Sequence, residues 1–172
     1  MRMKNLELKI KINNFNGLLL LLKKIKARYK CRIVQKDTYF KCKNGRLKLR
    51  EINNKEFELI EYNRPNNLNS KISNYKIEKL SKQVVLKKKK DLLNRIGISV
   101  VVNKKRDLWL TGHTRIHLDS VRKLGKFLEL ETVIDGISEQ SAYKEQNKVI
   151  TELGLNRYKK CGQSYSDMLL AK

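Results

Sequence analysis

Residues 114–131 read TRIHLDSVRKLGKFLELE, and they hold the chain's most telling concentration of reactive groups. Arg115, His117 and Asp119 alternate with Ile116 and Leu118; after a turn near Gly125, Glu129 and Glu131 alternate with Leu128 and Leu130. Successive strand side chains point to opposite faces, so each half has one apolar face and one charged face. Glu129 and Glu131 are two apart on one face, with Asp119 across the hairpin. Carboxylates so close repel, and a divalent cation is their usual compensation. Oxygen ligands beside basic groups suit Mg²⁺ or Mn²⁺ shared with phosphates, which arginine and lysine would then hold.

That chemistry requires strands that bring charge together, and period-two alternation supplies them. NLELKIKI (5–12) sets Leu6, Leu8, Ile10 and Ile12 against Asn5, Glu7, Lys9 and Lys11. CRIVQKDTYF (31–40), GRLKLREI (45–52), EFELIEYNR (56–64) and ISVVVNKKRDLWL (98–110) are further strands, joined by 114–121 and 126–135. A weaker eighth is placed near 68–75. Helices are expected at 15–29, about 76–96, and 138–153, the last with Ser138 as N-cap. The class is α+β, one large antiparallel sheet or barrel.

Two arrangements explain the charged faces. An open sheet would leave them wet; a closed one would line an interior with them and pad its apolar outside with helices. Dry burial of so many ions is prohibitive, so a closed form must hold water, a cation and an anionic ligand.

Composition sets the outer limits. The chain has 172 residues, fitting a single domain over 1–172, and 40 Lys+Arg against 17 Asp+Glu give a formal charge of +23. Such a charge attracts polyanions: nucleic acid, nucleotides, polyphosphate or anionic membrane. Part of it, as in VLKKKKDLL, reads as a solvated helix face. GLLLLLKKIKARYK is too short an apolar run to span a bilayer, and no secretory signal is read at the N-terminus. Three scattered cysteines without C-x-x-C spacing favour a reduced, cytoplasmic protein without a zinc cluster.

The ordered motifs resemble the CYTH superfamily of triphosphate tunnel metalloenzymes, in particular its class IV adenylyl cyclase-like branch. NLELK (5–9) is similar to the family's Glu-x-Glu-x-Lys signature, with Asn5 at the first glutamate. QKDTYF (35–40), GRLKLRE (45–51), YNRP (62–65), SKISNY (70–75), TRIHLDSVRKLGKFLELE and SYSDMLL (164–170) follow in order. The resemblance implies an eight-stranded antiparallel closed β-barrel, with helices packed on the outside and a charged tunnel within. It implies that Lys9, Lys48, Arg50, Arg64, Lys71, Lys104, Arg106 and Arg115 contact the triphosphate. Glu7, Glu129 and Glu131 would bind Mg²⁺ or Mn²⁺, and Asp119 would be a ligand or an orienting carboxylate. Lys9, Arg115 and Asp119 are the implied catalytic set. Asn5 leaves one or two metals open.

Other residues keep two readings. His117 is a general base or a structural hydrogen-bonding group. Tyr39 and Tyr62 stack on a base or fill a barrel end, and Asp37 helps a metal or holds a loop. Trp109 is read as outer packing. The implied function is cyclisation of ATP to cyclic AMP and pyrophosphate. The alternatives are hydrolysis of an inorganic, thiamine, nucleoside or RNA 5′ triphosphate, and polyphosphate or nucleic-acid binding without turnover. No membrane partner is expected; a monomer or a homodimer is.

Overall fold

A computed structural model of the chain describes residues 2–63 and 71–172, with side chains at 4–62 and 76–172. The order is β1 (Arg2–Ile12), α1 (Leu18–Lys24), β2 (Arg28–Phe40), β3 (Arg46–Ile52), β4 (Glu56–Asn63), β5 (Lys71–Leu80) and α2 (Lys82–Ile96), then β6 (Ile98–Thr111), β7 (Thr114–Val121), β8 (Gly125–Val133), α3 (Glu139–Glu152) and α4 (Tyr165–Leu170). Hydrogen bonds link the eight strands in the order β1-β5-β4-β3-β2-β6-β7-β8, all antiparallel, and β1 meets both β5 and β8. The expected α+β class and eight antiparallel strands are present.

Alternation does the sorting. Leu8, Ile10 and Ile12 of β1 pack outward with Ile116, Leu118, Leu128 and Leu130 against Leu18 and Leu22 of α1 and Val149 and Ile150 of α3. A second outer cluster seats α2 through Val85 on Phe40 and Leu49. Trp109 is partly buried beside the first cluster, edge-on to Tyr29, as outer packing predicts. The β7–β8 turn needs Gly125, whose φ of 100° disfavours any side chain.

Two helix expectations need correction. The periodicity of 76–80 suggested helix, but KIEKL pairs with β4, and Ser81 starts α2 by accepting a bond from the Val84 amide. Sheet pairing overrode local propensity. The first helix spans only Leu18–Lys24, bounded by Gly17 at φ 78° and Lys26 at φ 55°, both left-handed. From Arg28 onward the chain already pairs with β6. Ser138 caps α3 as expected, accepting from the Ser141 amide. Among the described residues, no helix is long and apolar enough to cross a membrane.

Candidate active site

The inward faces surround a cavity of about 300 Å³. The predicted basic residues Lys9, Lys48, Arg50, Lys104, Arg106 and Arg115 all border it, as do Glu7, Glu129 and Glu131. Arg64 lies outside the described residues. Lys71 pairs through its backbone with Glu7 on β5 and β1, and its side chain lies outside those described.

Two buried aspartates organise the bases. Asp119, wholly buried on β7, accepts two bonds of 2.6 Å from Arg106 Nε and Nη2 on β6. Lys104 Nζ lies 3.3 Å from its second oxygen, and the Tyr165 hydroxyl of α4 donates to it at 2.9 Å. Both oxygens are thus occupied, and Asp119 does not border the cavity. Burial opposes its ionisation, but Arg106 and Lys104 outweigh burial and hold it well below the usual carboxylate range.

Asp37 on β2 does the same for β3. It accepts from Lys48 Nζ at 2.9 Å and from Arg50 Nε at 3.0 Å, while Gln35 Nε2 donates to it at 2.9 Å. Burial is again outweighed, by Arg50 and Lys48, and its carboxyl is held well below its ordinary range. Asp37 therefore anchors two bases rather than a loop, a role that sequence spacing alone does not reveal because the contacts cross between strands.

The remaining acids sit among bases. Glu129 lies 3.4 Å from Lys9 Nζ and 3.0 Å from Arg106 Nη2; Glu131 lies 3.6 Å from Arg115 and accepts from Asn5 Nδ2. Glu7 is opposite Glu131 in the β1–β8 register. His117 is buried between the two glutamates, its Nδ1 3.5 Å from Glu129 and its Nε2 3.8 Å from Glu131. Burial and Arg106 push its pKa down. Burial, then the neighbouring Arg106, lowers Lys104 to about 8.

One end of the cavity is filled. Tyr39, Val102, Val121 and Phe127 pack against Tyr165, whose ring lies edge-on to Phe127. Lys9 Nζ sits 4.1 Å from the centre of the Tyr165 ring. Arg46 donates to Asp167 of α4 at 2.8 Å, so this base ties down the helix. The Tyr39 and Tyr62 hydroxyls are 3.3 Å apart beside the same cluster, and both residues also border the cavity. Tyr165 stands within a motif noted in the sequence, but its inward role depends on where α4 docks.

The donors suit a hard cation in kind: Glu7, Glu129 and Glu131 offer carboxylate oxygens to the cavity. Among the described residues, however, no three carboxylate, histidine or cysteine groups converge closely enough to hold a metal ion alone. The fit is to a cation that takes its other ligands from phosphate and water, as Mg²⁺ commonly does.

The architecture recurs in solved structures. PH1012 protein from Pyrococcus horikoshii OT3 superposes with a TM-score of 0.79 at 21% identity, covering 95% of this chain and 98% of that one. A candidate adenylate cyclase from Vibrio parahaemolyticus gives 0.72 at 17% identity, covering 96% and 97%. A candidate adenylyl cyclase from Hippeastrum, described as having a dominant triphosphatase activity, gives 0.72 at 12% identity, covering 98% and 95%. At these identities the likeness establishes a shared fold. No curated protein matches in sequence. The family model for the CYTH domain matches residues 3–165, and the chain belongs to the CYTH family.

Proposed function

We propose that this chain is a divalent-cation-dependent enzyme that binds a triphosphate in its basic interior. Its reaction is most like that of a class IV adenylyl cyclase, ATP to cyclic AMP and pyrophosphate. The observation that carries the reading is the placement of Glu7, Glu129 and Glu131 beside Lys9, Arg50, Arg106 and Arg115 around one cavity. A site built only to attract polyanions gains nothing from carboxylates that repel phosphate. Carboxylates become useful when a cation stands between them and the phosphate oxygens.

Phosphoryl chemistry needs positioning and neutralisation of spreading negative charge. Arg50 and Arg106 present planar forks already oriented by Asp37 and Asp119, so little side-chain freedom is lost when phosphate binds. Lys9, Lys48 and Lys104 add point charges deeper in, towards α4. Mg²⁺ or Mn²⁺ held by Glu7, Glu129 and Glu131 would supply Lewis-acid stabilisation of phosphate oxygens. His117 lies between Glu129 and Glu131, where a neutral imidazole has one N–H to offer to one of the two carboxylates. A ribose hydroxyl held in line with the α-phosphorus makes the enzyme a cyclase; water against the terminal phosphorus makes it a triphosphatase.

Glu129→Gln and Glu131→Gln separate this reading from polyanion binding. Each should abolish metal-dependent turnover of ATP while circular dichroism stays native. Wild-type turnover in both would overturn the cation assignment.

A further inference from the structure

Outside the wall that carries Lys104, the sheet has a second recess, a groove of about 560 Å³. Alternation turns Lys104 and Gln35 inward, so their chain neighbours Lys105, Val34 and Lys36 face out. The register sets the outward groups in two adjacent rows. Val34 of β2 is opposite Lys105 of β6, Lys105 is opposite Ser120 of β7, and Ser120 is opposite Lys126 of β8. In the other row Glu51 of β3 is opposite Lys36 of β2, and Lys36 is opposite Asn103 of β6, whose carbonyl accepts from the Arg122 amide. All of these residues border the groove. Val34 is 53% exposed, so no helix covers this stretch of wall.

The groove is strongly positive. Glu51 is its one acid among the described residues, and Lys89 of α2 already neutralises it at 2.7 Å. Lys105, Arg122 and Lys126 have no ion-pair partner among the described residues, and Lys126 Nζ faces the Phe15 ring at 5.4 Å. Bases gathered without acids repel one another, and a bound anion relieves that repulsion. The spacing of the charges narrows the choice of anion. Ser120 separates Lys105 from Lys126, and Asn103 stands between Lys36 and Arg122, so neutral hydrogen-bonding groups alternate with bases. A phosphodiester chain alternates in the same way, one charge per phosphate and then a neutral sugar. Inorganic polyphosphate carries its charges contiguously, and a bilayer surface is too flat to fill a recess. From β2 to β8 the first row spans three strand spacings, about 14 Å, the scale of a single chain's backbone. We infer that this groove binds the sugar–phosphate backbone of a single-stranded nucleic acid, outside the triphosphate cavity and independently of it.

Fluorescence anisotropy of a 5′-hydroxyl oligouridine, which carries no triphosphate, tests the groove. Wild-type protein is compared with Lys105→Gln/Arg122→Gln and with a charge-matched control, Lys87→Gln/Lys90→Gln, at two exposed lysines of α2. Each neutralised phosphate of a single strand adds about 0.7 to the slope of log affinity against log salt. Loss of two contacts should therefore lower that slope by about 1.4, and the affinity at about 0.1 M salt by on the order of 20-fold. The control pair should change both far less, and ATP turnover by the groove variant should match that of wild-type protein. Equal loss in the two pairs would reduce the groove to part of the diffuse surface charge and overturn the inference. So would undetectable RNA binding by wild-type protein, or inorganic polyphosphate bound as tightly as RNA at equal charge concentration. Groove-dependent capture by phosphatidylglycerol vesicles in place of RNA would overturn it too. Should the first variant lose its native circular dichroism, Lys105→Gln/Lys126→Gln carries the same comparison with the same expected outcome.

Discussion

Asp119 and Asp37 each fix an arginine and a lysine, and in both the carboxylate is the most deeply buried member. Removing one partner of a buried ion pair strands the other charge. Asp119→Asn should therefore cost about 3–5 kcal/mol, read from urea unfolding. It should also lower kcat/KM, because Arg106 is no longer held in its fork geometry. Wild-type stability would contradict the pairing. Lys104 supplies a pH signature. In the free protein its pKa is lowered to about 8 by burial and Arg106, and a bound triphosphate would raise it. A base whose pKa rises on binding contributes affinity in full below its free-state value, begins to lose it there, and has lost it once pH passes the higher bound-state value. Triphosphate affinity should thus fall above pH about 8, and Lys104→Arg should flatten the profile because guanidinium stays charged. A wild-type profile that is flat there would remove Lys104 from the phosphate subsite.

At the scale of elements, the dead end depends on α4, a six-residue helix held by its cap and its contacts. Ser164 accepts from the Asp167 amide, and Asp167 accepts from the Ser164 amide, a reciprocal capping box. Ser164→Ala should cost about 1 kcal/mol, a fall in Tm of roughly 2–4 °C by calorimetry. No change would mean that Tyr165 and Arg46 hold the helix without its cap. The strands were legible because one face is aliphatic and the other charged, so period two survives in a single sequence. The hairpin 114–131 is legible in nearly every residue for that reason. Residues 76–80 were not: KIEKL also fits helical spacing, and only pairing with β4 decides. Alternation put Glu7, Glu129, Glu131 and the bases on the face opposite the aliphatic one; that this face turns inward came from the family resemblance. The anchoring of Arg50 by Asp37 followed from neither, since it joins residues 13 apart in sequence across two strands.

For the molecule as a whole, the +23 formal charge and the catalytic proposal concern different surfaces. Exposed lysines make a diffuse field that salt screens over about 8–10 Å; Lys9, Lys48, Lys104 and Arg106 are buried inside and held by carboxylates. Raising salt from about 50 to 200 mM should weaken binding of a random RNA by on the order of 10³-fold. Triphosphate turnover over the same range should fall far less. Filter binding beside a turnover assay reads both, and a parallel loss would assign the phosphate contacts to the outer surface.

Metal-dependent turnover of a triphosphate in this interior is read by phosphorus NMR of the wild-type protein with ATP, before and after addition of Mg²⁺. The three ATP resonances should persist without the cation and give way to those of cyclic AMP and pyrophosphate with it. ATP that remains intact in Mg²⁺, and again in Mn²⁺, would contradict metal-dependent turnover.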